Sequence, residues 1–242
     1  MMDKKLFLCR CMPLGPVFER DLGQTVPEVS GETVKQILNS AIEKYGSCAV
    51  LAIDTELNNA IVGLLFFYPK IYVENFNGAH PCIQNPKEIN KIESVLDKII
   101  SAPTFAELKD ESKILCIECM QVVRKSSKHN WNKSYTSRGI GDGMLAKLIS
   151  WAQDFGWKKI RSVAIPDVKP LKLWWGNQTL NGFLKRGFKI IEDSVQYHEE
   201  VLEPVNNMKK GLHGLEIQKM RKKYENLSDR DLIKTYQVEL VL

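Results

Sequence analysis

Between residues 113 and 192 the spacing of apolar residues switches back and forth between strand and helix periods, and that alternation constrains the fold more than any other feature of the chain. Residues 113–123 read as a strand. Residues 141–155 place Met144, Leu145, Leu148, Ile149, Ala152 and Phe155 on one helical stripe, closed by Gly156. Residues 160–165 return to a strand ended by Pro166, residues 173–185 read as a helix stopped by Gly187, and residues 188–191 begin another strand. This β-α-β-α-β succession predicts an α/β sandwich with some parallel pairing, since parallel neighbours need a crossover and a helix supplies it.

Upstream, residues 32–45 carry Val34, Ile37, Leu38, Ala41 and Ile42 at helical spacing, with Gly46 as the stop. Residues 48–54 and 60–68 form two β-rich runs joined by a short polar link, a hairpin whose second arm is apolar enough to be covered on both faces. A short first strand at 6–12 and a helix at 86–100, with Pro103 beyond its end, complete this half. The tail differs in kind. Residues 214–225 read as a charged helix, and Ser228, followed three residues later by Asp231, reads as the capped start of another. We therefore expect a mixed α+β domain over residues 1–200 and a helical extension over 201–242, packed on or beside the core or serving a homodimer contact.

Composition limits the function classes. Six cysteines in 242 residues, with no secretory segment ahead of them, point to reduced thiols and a cytoplasmic protein. No run approaches the roughly 20 apolar residues that cross a bilayer, so no membrane role is expected. A net charge of +5 is mild. The basic tail is interspersed with acids and lacks interleaved aromatics, which argues for a solvated helix and against nucleic acid as a partner.

The chemistry concentrates in residues 122–143, VVRKSSKHNWNKSYTSRGIGDG. From Arg124 to Arg138 the stretch is basic with no acid, and Gly139, Gly141 and Gly143 then lead straight into the 141–155 helix. Glycines let backbone approach a ligand closely, and free amides at a helix N-terminus make a seat for phosphate. These features together describe a pyrophosphate site. A dinucleotide-binding turn fits poorly: its third glycine would be Met144, and the preceding strand ends too early. A nucleoside-triphosphate loop fails because no Gly-Lys-Ser/Thr follows.

Arg138, Gly141 and Gly143 match R-x-x-G-x-G, and the motif resembles the acetyl-CoA signature of the GNAT N-acetyltransferases. The order of elements around it, and the close of a later helix in Lys185-Arg186-Gly187-Phe188, extend the resemblance over residues 6–200. The resemblance implies a GNAT-like mixed sheet flanked by helices, acetyl-CoA as cosubstrate without a metal, and a small-molecule or peptide amine as acceptor. It implies that the loop amides of Gly139, Ile140, Gly141, Asp142, Gly143 and Met144, with Arg138 beside them, hold the pyrophosphate. It also implies that Met120, Gln121, Val122 and Val123 line the pantetheine arm, and that Asn177 touches it. Two departures stand out. Residues 125–136 lengthen the connection from strand to signature, and Phe183 occupies the position where many members place a proton-donating tyrosine; phenylalanine cannot donate. The second departure keeps open an alternative, a non-catalytic acyl-CoA-binding or regulatory module.

Glu118, on the strand beside the thioester position, is the candidate general base, with an ion-paired strand residue as its plainer reading. Cys116 and Cys119 look like half a zinc site, but residues three apart on a strand point to opposite faces, so buried thiols are expected and no metal. Trp174 and Trp175 read as core packing ahead of an acceptor wall.

Overall fold

The computed structural model describes residues 31–57, 60–75, 96–122, 135, 138–167, 178–197 and 228–242. The strand expected at 6–12, residues 86–95 of the next helix, the charged helix at 214–225 and both Trp174 and Trp175 lie outside them. The chain divides into two compact units, one drawn from Met1–Ala49 and Phe67–Cys116, the other from Val50–Phe66 and Ile117–Leu242.

In the first unit, helix α1 (Gly31–Tyr45) ends at Gly46, whose φ of 81° suits glycine and whose N–H donates to the Ile42 carbonyl at 2.8 Å. Ile37, Ala41 and Tyr45, four residues apart, form its buried face, whereas Ile42 turns half out to solvent. Strand β2 (Ala60–Pro69) delivers Phe67 and Tyr68 to this unit and leads into the short helix α2 (Lys70–Asn75). Tyr72 of α2 sits edge-on to Tyr45 at 5.3 Å and shares a 2.8 Å hydrogen bond with Ser40. Lys44 donates to the carbonyls of Ile100 and Ala102, satisfying acceptors left over where the helical residues 96–100 end. Burial pushes the Tyr45 and Tyr72 hydroxyls and the Cys48 thiol upward, the last to about 11.

Most strand residues of the sheet belong to the second unit. Strands β1 (Ala49–Asp54), β2, β3 (Ile114–Val122), β4 (Lys159–Ala164), β5 (Lys189–Tyr197) and β6 (Lys234–Val241) line up in the order β1-β2-β3-β4-β6-β5. Helix α3 (Ile140–Phe155) connects β3 to β4, and the sheet mixes parallel with antiparallel pairing, as the alternation from 113 to 192 predicts. β2 is buried from Val62 through Tyr68, in keeping with its run of apolar residues. Met144, Leu145, Leu148 and Ala152 are the buried stripe of α3, and Gly156 closes the helix at φ 97°. Among the described residues no helix is long and apolar enough to cross a membrane.

Two expectations need correction. The end of the chain is a strand within the sheet, where a helical extension over 201–242 was expected. The capping box at Ser228 and Asp231 forms, but the helix it starts, α5 (Asp229–Leu232), lasts four residues before β6 begins. β6 lies antiparallel between β4 and β5, pairing Ile160 with Leu240 and Ser162 with Val238. Without β6, the backbone groups along facing edges of β4 and β5 would lack partners, and this demand lies outside any local signal in the tail. Glu239 adds a cross-strand ion pair with Lys159 at 2.9 Å and Arg161 at 2.6 Å.

The helix expected at 173–185 is also shorter where it is described. Helix α4 (Leu180–Leu184) starts only after Thr179, which is extended (φ −72°, ψ 158°) and whose hydroxyl accepts from the Gly182 N–H. Residues Gln178 and Thr179 are held against Ile165: the Ile165 N–H donates to the Gln178 carbonyl, and the Leu180 N–H returns to the Ile165 carbonyl. Sheet-like bonds there exclude one more helical turn.

Candidate functional site

The first turn of α3 is built from Gly139. Its φ of 76° is the left-handed conformation that glycine adopts without strain, and no side chain caps the helix from this position. The helical ladder begins with the Gly143 N–H donating to the Gly139 carbonyl at 2.8 Å. The amides of Ile140, Gly141 and Asp142 therefore precede it and point along the helix axis toward its N-terminal end. Among the described residues, a Cβ added at Gly139 or Gly143 would meet nothing within 4 Å. Packing does not demand glycine at Gly143. Its bare backbone faces open space, as a surface for a closely approaching anion requires.

Beneath this turn the fit is tight. Gly63 on β2 admits α3: a Cβ there would lie 3.0 Å from both Ile140 Cγ2 and Ala52 Cβ and 3.1 Å from Met144 Cε. Met120 of β3 approaches the Gly141 position, its sulfur 3.5 Å from where a Cβ would stand. Met144 is buried, so its side chain is part of this floor and does not project toward a ligand. The sequence reading missed Gly63. A glycine inside an apolar strand is itself a signal of close backbone approach.

Charged and polar groups surround the turn. Arg138 is exposed, and its guanidinium carbon lies 5.7 Å from the ring centroid of Tyr135. Tyr135 is buried, and its hydroxyl donates to Asp54 Oδ2 at 2.6 Å, at the end of β1. Asp142, assigned to the pyrophosphate from sequence, is engaged by the chain itself. Its Oδ1 accepts from Gln178 Nε2 at 3.1 Å and pairs with Arg186 Nη2 at 2.9 Å. An aspartate in the first turn suits the helix dipole, and Arg186 offsets the charge it would otherwise present to an anion.

On β3, Met120 is buried and Val122 half-buried; Gln121 lies in the strand between them. Glu118 is half-buried, and the two-residue pleat puts it on the same face as Met120. Val123 and Asn177 lie outside the described residues, as do residues 125–134 of the lengthened connection. Cys119 is buried and Cys116 half-buried. Among the described residues no group of three or more His, Cys, Asp or Glu side chains is arranged to hold a metal ion. Phe183 is a core residue, its ring 4.9 Å from that of Phe188.

No family model and no curated protein sequence matches the chain. Solved structures do. A GNAT-family acetyltransferase from Streptococcus pneumoniae is 14% identical, with a TM-score of 0.41 over 88% of this chain and 77% of its own. A mosquito arylalkylamine N-acetyltransferase like 5b is also 14% identical, at a TM-score of 0.40 over 81% and 76%. A GNAT-family acetyltransferase from Elizabethkingia anophelis with acetyl-CoA bound is 14% identical, at 0.38 over 92% and 95%.

Proposed function

We propose that the chain binds acetyl-CoA and transfers its acetyl group to a primary amine. The observation that carries this reading is the start of α3: Arg138 and a left-handed Gly139 lead into three amides ahead of the helical ladder, and Gly143 leaves the backbone bare. A pyrophosphate is the ligand that a basic side chain, a helix dipole and adjacent free amides favour together. The β3 residues Met120 and Val122 run past this turn, suited to hold an extended pantetheine arm through the strand's backbone.

In the reaction the neutral amine nitrogen attacks the thioester carbonyl carbon. The N–C bond forms, the C–S bond breaks with its electron pair going to sulfur, and the nitrogen loses a proton. We assign Glu118, or water held by it, to take that proton. The departing thiolate takes a proton from water, since Phe183 has none to give. Positioning the amine against the thioester is the larger part of the rate enhancement available to such a site. A small-molecule or peptide amine in a cytoplasmic setting is the acceptor class we propose.

Isothermal titration with acetyl-CoA, and with desulfo-CoA as control, tests the reading. Micromolar binding that is lost in Gly141→Trp, with circular dichroism unchanged, supports the site; retained affinity in that variant overturns it. Phe183 favours a second reading, a binding module without turnover. Acetylation of any amine in a panel excludes that module, and binding with no turnover across the panel selects it.

A further inference from the structure

The exposed Arg138 raises a physical problem that its surroundings answer. A free arginine side chain samples many rotamers, and ordering it on an anion costs conformational entropy. Arg138 is instead laid over the ring of Tyr135, 5.7 Å from centroid to guanidinium carbon, within the distance at which a cation is attracted to an aromatic face. Tyr135 is itself fixed, 3% exposed and bonded through its hydroxyl to Asp54 Oδ2 at 2.6 Å. Asp54 is fixed in turn, because its Oδ1 accepts the Glu56 N–H at 2.9 Å in the turn that ends β1. A phenol that donates to a carboxylate carries more negative charge on its ring, so the second bond strengthens the first.

We propose that Tyr135, braced by Asp54, is a positioning residue that presents the Arg138 guanidinium at the open first turn of α3. The chain of contacts runs from the end of β1 through Asp54 and Tyr135 to Arg138, and the next residue is the left-handed Gly139. Tyr135 touches neither the anion nor the reacting atoms; it acts through Arg138. This inference rests on the reading of the α3 turn as a pyrophosphate seat and adds to it the device that orders the seat's arginine.

The test is a double-mutant cycle of Tyr135→Leu and Arg138→Ala, read by titration with CoA and separately with inorganic pyrophosphate. Tyr135→Leu is expected to weaken CoA about fivefold, the size of a lost cation–aromatic contact together with looser ordering. In the Arg138→Ala background the same change is expected to do nothing. Tyr135→Phe, which keeps the ring and loses Asp54, should fall between wild type and Tyr135→Leu, and Asp54→Ala should match Tyr135→Phe. These milder variants carry the test if Tyr135→Leu does not fold. Equal losses in both Arg138 backgrounds, or lowered melting temperature with wild-type CoA affinity, overturn the proposal while leaving acetyl-CoA binding in place. If the wild type binds pyrophosphate but not CoA, and the cycle is coupled, the acetyltransferase reading falls and the positioning role stands. Binding of neither ligand overturns both.

Discussion

The first turn of α3 and the α4 end of the same unit both depend on glycine, for opposite reasons. At Gly139 and Gly143 the missing side chain leaves open space among the described residues. At Gly182 the missing side chain is replaced by a neighbour: a Cβ there would stand 2.6 Å from Gln178 Cδ and 2.7 Å from its Cγ. Gln178 is buried and engaged at Thr179 N–H and Asp142, so it is poorly able to retreat. The charges divide in the same way. Arg138 is exposed over a ring, whereas Glu239 is largely covered between Lys159 and Arg161. An empty space beside a glycine marks a surface kept for something else. A filled one marks packing.

The largest effect should come from filling the occupied position. Gly182→Val is expected to destabilise the protein by about 3 kcal/mol, the upper part of the range for overpacking, measured as a fall in the urea midpoint without a change in slope. A loss below about 0.5 kcal/mol would mean that Gln178 can move away and that the contrast with Gly143 is one of degree. The open position should respond in the other observable. Gly143→Val is expected to leave the urea midpoint within about 0.5 kcal/mol of wild type, as for a surface change, yet to weaken CoA binding at least about tenfold by covering the amides. Unchanged CoA affinity would break the comparison, leaving Gly143 merely exposed.

The smallest effect is electrostatic and sharpens the charge contrast. Burial raises the Glu239 carboxyl, but hydrogen bonds and charge from Lys159 and Arg161 outweigh it and hold its pKa below the usual carboxylate value. A depressed folded pKa stabilises the protein above the unfolded carboxylate value, about 4.3, and the contribution is lost as pH falls through the lower folded value. Glu239→Gln should therefore cost about 1 kcal/mol at pH 7 and progressively less as the pH is lowered into the acid range, read from urea midpoints across that range. A constant difference across that range would assign the effect of Glu239 to packing.

How much was legible from sequence follows the range of the interactions involved. The helix at 140–155, its stripe and its closing Gly156 were readable because the periodicity is local and strong. The glycine turn was readable because positive φ and a helix start are written in adjacent residues. Gly63 was not assigned, since the atoms it makes room for, on Ile140 and Met144, are some eighty residues away in sequence. Tyr135 was passed over as one member of a basic loop, because its partner Asp54 lies 81 residues upstream. Asp142 was assigned to the ligand by its place in the motif. Only the approach of Arg186 and Gln178 reveals its internal bonds.

The tail makes the same point. Ser228 and Asp231 announced a helix start, and the capping box formed, because it needs only four consecutive residues. Local chemistry carried no information on how soon that helix would stop. By itself the sequence determined the alternation of strands and helices, the glycine-led start of α3 and the basic side chain ahead of it, all features set within a few residues of backbone. Tertiary structure decided that residues 234–241 become a central strand, that α4 begins only after Thr179, and that Arg138 rests on a ring held by the end of β1. Each of these depends on pairing backbone groups, or filling space, between segments far apart in the chain.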